Sequence, residues 1–181
     1  MEKEYLKKYK HAPTHLFIDI YPYFITSGTY LKKHNFASTQ MKRILLDIIQ
    51  EILYKNSDEL LAWVILSNHY HLMINFKDPF LLPEIIKKFH SKSAVILQKI
   101  EKQQNKKVWY NYWDRCIRDE RDCYSKLNYI HFNPVKHGYV ENPLDYDFSS
   151  YKYYLDKLGS AKLVKIITDF PWEQMNEKDD Y

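Results

Sequence analysis

Hydrophobic positions along this chain alternate between a period of two and a period of three to four, and the changes of period divide it into strands and helices. Residues from His15 to Thr26, rich in Phe, Ile and Tyr, predict a first strand. Pro22 interrupts it, which suggests a bulge or an edge position, and Gly28 marks the turn that follows. Met41, Ile44, Leu45, Ile48, Ile49, Ile52 and Leu53 then recur as the buried stripe of a helix that Ser38 is placed to cap. Leu60 to Leu66 and His69 to Phe76 read as two strands, and the polar pair between them, Ser67-Asn68, suits a tight hairpin. Pro83 opens a second helix with Ile85, Ile86, Phe89, Ile96 and Ile100 on its core face and Lys87, Lys88, Lys92 and Lys99 on its polar face. Val108 to Ile117 is extended and aromatic, and Asp119 to Asn133 is helical until Pro134 stops it. Beyond Gly138 the pattern predicts a short helix near Ser149 to Lys157 and a late strand at the LVKII run, residues 163–167.

The order strand, helix, strand, strand, helix, strand, helix predicts an α+β fold. Its simplest form is a ferredoxin-like antiparallel sheet with helices packed on one face. At 181 residues one domain can bury a sizeable core. The formal net charge is +4. The last fourteen residues hold Asp169, Glu173, Glu177, Asp179 and Asp180 against Lys178 alone, a local −4 that leaves +8 on the preceding part. A basic body with an acidic end points to a polyanionic partner. Cys116 and Cys123 lack the spacing of a zinc cluster or a disulfide framework, so a reducing cytoplasm is expected and neither is a ligand candidate. The N-terminus lacks the apolar stretch of a signal peptide, and no apolar run approaches the roughly 20 residues of a membrane span.

The candidate chemistry centres on His69-Tyr70-His71 within AWVILSNHYHLMI. Side chains at i and i+2 of a strand share a face roughly 6 to 7 Å apart, so both imidazoles can converge on one divalent ion while Tyr70 points the other way. In the helix before Pro134, Cys123, Leu127 and Ile130 define a buried stripe, and Tyr129 falls roughly 130° from its centre, off the core face. Asn133 lies one turn beyond Tyr129 on the same face, so phenol and amide oxygen can approach a common object. Tyr124 and Tyr139 compete with Tyr129 but lack so apt a partner four residues on. A phenol with a pKa near 10 is about 0.1% ionised at neutral pH, so an attacking tyrosine gains from a metal that stabilises charge on its target. Mixed nitrogen and oxygen ligands suit Mg²⁺ or Mn²⁺, without excluding zinc.

SNHYHLMI, followed by WYNYWDRCIRDERD and NYIHFNPVKHGYV, resembles the REP-associated tyrosine transposases, a branch of the single-tyrosine HUH, IS200-like transposases. The resemblance runs from about His15 to Val140. It implies an N-terminal extension over 1–14, an HUH tyrosine transposase domain over 15–140, and a C-terminal extension with an acidic tail over 141–181. His69 and His71 correspond to the family's histidine pair, Tyr129 to its nucleophile, and Asn133 to its third metal ligand. The implied activity is metal-dependent nicking and joining of single-stranded DNA through a 5′-phosphotyrosine at REP-like hairpins. A cytoplasmic, nucleoid-associated protein is expected, with single-stranded or hairpin DNA as partner, no membrane, and a homodimer among the assemblies allowed. The sequence departs from the family at Leu66-Ser67, where Met-Pro is usual, and at Tyr70, where a small aliphatic residue is commoner. Neither change removes a ligand.

Unpaired bases can stack on Trp109, Tyr110, Tyr112 or Trp113, of which Trp109 and Trp113 are expected to pack inward. Lys87, Lys88, Lys92, Arg115, Arg118 and Arg121 are the candidates for DNA backbone contacts. Two other functions fit the same residues: a catalytically silent, domesticated single-stranded nucleic-acid binder, and a metal hydrolase in which water attacks.

Overall fold

The computed structural model describes residues 21–174. Four strands, β1 (Tyr23–Thr29), β2 (Glu59–Ile65), β3 (His69–Asn75) and β4 (Trp109–Cys116), make one antiparallel sheet in the order β2-β3-β1-β4. Helix α1 (Thr39–Asn56) connects β1 to β2, α2 (Leu82–Glu101) connects β3 to β4, and α3 (Glu120–Lys136), α4 (Tyr151–Leu158) and α5 (Ser160–Asp169) follow. This is the split βαβ arrangement expected from the element order.

Local chemistry accounts for most boundaries. Ser38 Oγ accepts from the Met41 N–H at 3.2 Å, and Ser57, left-handed at φ 59°, ends α1. Leu45, Ile49 and Leu53 of α1 are buried, each contributing about 1.5–3 kcal/mol of burial free energy. The hairpin closes through a Leu66 N–H to His69 C=O bond of 2.9 Å. Pro83 lies in the first turn of α2, as its missing donor allows, but Leu97 takes the core position expected of Ile96 and Ile100, and Ile100 is exposed.

The first strand begins later than its composition suggests. The expected stretch from His15 to Ile20 lies outside the described residues, while Pro22 stands just before β1 and accepts a hydrogen bond from Ile117 N–H. Gly28 is inside the strand, not at a turn, and the register of β1 against β4 slips between Ser27 and Thr29. Three steps along β4 there match two along β1, a β-bulge that reverses which β4 residues face which side.

Helices cover both faces of the sheet, a correction to the single covered face expected from the sequence. Tyr70 Oη meets His90 Nε2 of α2 at 2.7 Å, and α1 packs beside α2. His69 and His71, on the opposite face of β3, meet α3 instead. Pro134 does not stop α3, which continues to Lys136. A proline this near the end forfeits one backbone bond, and His137 N–H to Asn133 C=O at 3.1 Å followed by Gly138 at φ +69° closes the helix.

The outer side of α3 is covered by α5 and by the 3-10 turns Pro143–Asp145 and Trp172–Gln174. Asn128 Nδ2 donates to the carbonyls of Ile166 and Phe170 at 3.1 and 2.7 Å. The LVKII run is therefore part of α5, with Leu163 and Ile166 buried at helical spacing, and is not a strand. Residues 148–150 line the edge of β2, where Ile65 N–H meets Phe148 C=O and Ser150 N–H meets Trp63 C=O, each at 2.9 Å. The extension implied over 1–14 and the acidic residues 175–181 lie outside the described residues.

Candidate metal and nucleophile site

β3 presents His69 and His71 side by side because alternate residues of a strand share a face, and their ring centroids lie 5.2 Å apart. α3 crosses this face and brings the two residues singled out from its sequence against the pair. Asn133 Oδ1 is 3.1 Å from His69 Nε2, and the Tyr129 ring meets the His71 ring edge-on at 5.2 Å. Phe24 of β1 stacks on His71 at 5.6 Å and touches Tyr129 at 6.1 Å, forming the apolar floor. Tyr129 is 1% exposed, against the expectation of a tyrosine off the core face. The cause is that Tyr129 lies on the side of α3 turned to the sheet, against Phe24 and His71, while α5 and the 3-10 turns bury another side of the same helix, so one apolar stripe does not mark its only buried face.

Burial and neighbouring charge keep both imidazoles neutral. Desolvation, with His137 beside it, lowers His69 to about 3. Desolvation first, then the charges of His69, His137, Lys136 and Lys126, places His71 well below the ordinary histidine range. Neutral imidazole is the form that binds a metal. His69 Nδ1 lies 2.8 Å from Asn68 Oδ1, and a neutral ring has one N–H for the two oxygens that flank it. With the proton on Nδ1, toward Asn68, the Nε2 lone pair faces the amide oxygen of Asn133, whose Nδ2 has no hydrogen-bond partner among the described residues. Either the amide turns over or a cation lies between the two lone pairs. Ligands at right angles about 2.1–2.2 Å from an ion are about 3 Å apart, so this donor pair fits one. Among the described residues no group of three His, Cys, Asp or Glu side chains is placed to hold a metal.

Two residues escaped the sequence reading. Lys136 donates to Tyr129 Oη at 3.1 Å and lies 4.7 Å from the ring centroid, and the His137 ring is 4.8 Å from that of His69. Both follow Pro134, where the helix was expected to have ended. Lys136 is nevertheless seven residues, two turns, beyond Tyr129, a spacing that could have revealed it. The rival tyrosines are elsewhere: Tyr124 packs on Phe170, with its phenol pushed up by burial, and Tyr139 hydrogen-bonds Ser67 at the hairpin. Ser67 also meets His34 Nδ1 at 2.5 Å, so the residue standing in place of the family's proline ties the hairpin to two other segments. Cys116 and Cys123 are free thiols, and burial raises the Cys123 pKa.

The structure does not gather the six basic candidates at this site. Lys87, Lys88 and Lys92 are exposed on α2, across the sheet from the histidines, with Lys88 paired to Glu84 at 2.9 Å and Lys92 to Glu51 at 2.5 Å. Arg115, Arg118 and Arg121 are exposed at and beyond the end of β4. Of these, Arg115 stands on the histidine face, because it is the cross-strand partner of Phe24. Trp109 is buried as expected, but Trp113 is 50% exposed, because the β4 bulge puts the two on opposite faces.

The family described as Transposase IS200 like matches residues 13–116, more than half of the chain. The chain belongs to this family. The match includes both histidines and ends before α3. An Escherichia coli REP-associated tyrosine transposase is 29% identical over 137 residues, 71% of this chain and 79% of that protein. A Haemophilus influenzae protein named for the same group is 29% identical over 103 residues, 51% of this chain, and the match spans 58% of that protein's length. A solved REP-associated tyrosine transposase bound to a REP hairpin shares the fold, with a TM-score of 0.62 at 23% identity, covering 87% of this chain and 90% of that one. Among the described residues no helix is long and apolar enough to cross a membrane.

Proposed function

We propose that this IS200-like chain is a metal-dependent single-stranded DNA endonuclease and strand transferase that works through a 5′-phosphotyrosine at REP-like hairpins. The observation that carries the reading is the meeting of Tyr129 and Asn133, one turn apart on α3, with the imidazole pair of β3. A hairpin substrate is supported by the solved relative of the same fold, which is bound to a REP hairpin.

His69, His71 and Asn133 would hold a Mg²⁺ or Mn²⁺ ion, which when bound polarises the scissile phosphate. Tyr129 Oη forms the new bond to phosphorus, the bond from phosphorus to the 3′ oxygen breaks, and the phenol proton passes through solvent to that oxygen. The product joins Tyr129 to the 5′ phosphate and conserves the phosphodiester energy for rejoining. Lys136 stabilises negative charge on Tyr129 Oη, both as the phenol attacks and as it leaves in the reverse step. Because Tyr129 is 1% exposed, DNA entry requires its side chain to rotate or α3 to lift from the sheet.

The test is a denaturing gel of protein incubated with a 3′-end-labelled hairpin bearing a single-stranded flank, in the presence of Mn²⁺. A labelled protein band that disappears in Tyr129→Phe is the expected result. Cleavage without that band would assign the attack to water, and DNA retention without cleavage would make the chain a binder.

A further inference from the structure

The face of the sheet that carries the histidine pair continues across β1 onto the edge strand β4. Thr26 is the cross-strand partner of His71, and Trp113 is the partner of Thr26; in the next row Met73 is followed by Phe24 and then Arg115. Cross-strand partners share a face, so Trp113 and Arg115 stand on the histidine face, two strand spacings or about 10 Å from β3. Gly28 and Thr26, the β1 residues between the histidines and this edge, carry little side chain to separate them.

Trp113 is 50% exposed and Tyr110 48% exposed, and their rings meet at 6.2 Å with a 43° tilt. The bulge that sends Trp109 inward toward α2 sets this pair on the outside. Cations stand at both ends of it. Lys107 Nζ lies 5.5 Å from the Tyr110 ring and 4.6 Å from that of Tyr30, and the Arg115 side chain is 63% exposed, with a 3.7 Å contact to Asp122. Two adjacent half-exposed rings flanked by cations match a strand that offers flat bases at one spacing and phosphates at another.

We propose that Tyr110 and Trp113 are a stacking platform for unpaired bases of the DNA strand beside the phosphate that Tyr129 attacks, with Lys107 and Arg115 taking flanking phosphates. The proposal rests on the strand-transferase reading above and adds to it the direction of the strand: away from the histidine pair and toward the exposed β4 edge. Stacking of this kind tolerates any base, so the platform supplies grip and direction while sequence choice lies elsewhere.

The experiment measures fluorescence anisotropy of fluorescein-labelled oligo(dT) titrated with the full chain and with Tyr110→Ala, Trp113→Ala, Trp113→Phe and Tyr153→Ala, each checked for folding by circular dichroism. Trp113→Ala should bind about tenfold more weakly, the order of one lost base–aromatic stack, and Trp113→Phe should recover most of the loss. Tyr153→Ala, which removes an exposed ring on α4, should bind like wild type. Should Trp113→Ala fail to fold, oligo(dT) should quench the tryptophan emission of wild type and leave that of Trp113→Phe unchanged. Wild-type affinity in a folded Trp113→Ala, quenching that persists in Trp113→Phe, or no wild-type affinity for oligo(dT) would overturn the platform. Phosphotyrosine formation by wild type on the hairpin substrate is scored separately. An adduct with no platform effect sinks this proposal alone, and the absence of any adduct sinks the reading beneath it.

Discussion

Replacing Lys136 by Met keeps the length and the apolar stem of the side chain and removes the ammonium 3.1 Å from Tyr129 Oη. Two unit charges at that separation interact by about 1.3 kcal/mol at the dielectric of water and about 2.7 kcal/mol at half that value. Lys136 lies in the exposed class, so solvent screening favours the lower figure. About half of a full charge develops on the phenol oxygen in the transition state, which leaves about 0.7 kcal/mol and predicts single-turnover cleavage about threefold slower in Lys136→Met. The loss should fall on the chemical step, with affinity for the hairpin changed much less, and Lys136→Arg should restore most of the rate because its cation can reach the same oxygen. The assay is quenched single-turnover cleavage of the labelled hairpin at saturating protein, beside a binding titration in Ca²⁺. A folded Lys136→Met that cleaves at the wild-type rate, or an equal loss in Lys136→Arg, would refute the electrostatic role.

Removing the amide donor in Asn133→Ala should weaken Mn²⁺ affinity by about tenfold or more in a calorimetric titration, whereas Asn133→Asp, which keeps an oxygen and adds charge, should not weaken it; equal binding by Asn133→Ala would remove Asn133 from the ligand set. Burial holds His69, His90 and His131 at about 3, against an ordinary value of 6.5, so the unfolded chain takes up protons first as the pH falls. Stability should therefore be intact above about pH 6.5 and decline as the pH drops toward 3, by about 1.4 kcal/mol per pH unit for each histidine, and urea midpoints that stay level from pH 7 to 5 would contradict this. Ile49→Ala, at a position 0% exposed under the sheet, should cost about 2–5 kcal/mol by urea denaturation, and a cost under 1 kcal/mol would mean that α1 packs elsewhere.

What could be read from the residues was what short spacings determine. Ser38 three residues before Met41, His69 two before His71 and Asn133 four after Tyr129 fix a cap, a strand face and a helix face by local geometry, and all three arrangements are present. The element order carried the topology for a similar reason, because a helix between β1 and β2 and a tight hairpin between β2 and β3 leave β3 a natural place in the middle. The errors arise where a distant segment decides. Nothing near Tyr129 announces that Asn128 will hydrogen-bond to carbonyls about forty positions later and bury one side of α3, or that the sheet will receive Tyr129 itself against Phe24 and His71, so a helix-face count placed the tyrosine outside.

Trp113 fails for the opposite reason, a purely local event with no clear sequence mark. A period of two assigns Trp109 and Trp113 to one face, and a single extra residue in the bulge divides them. That slip has a chemical consequence. Without it Trp113 would face α2 with Trp109, and the edge of the histidine face would be left to Tyr112 and Asp114. The bulge instead removes a carboxylate from the path of a polyanion and puts Trp113 and Arg115 in its place. The irregularity that defeats the sequence pattern is thus the feature that makes this edge suited to a nucleic-acid strand.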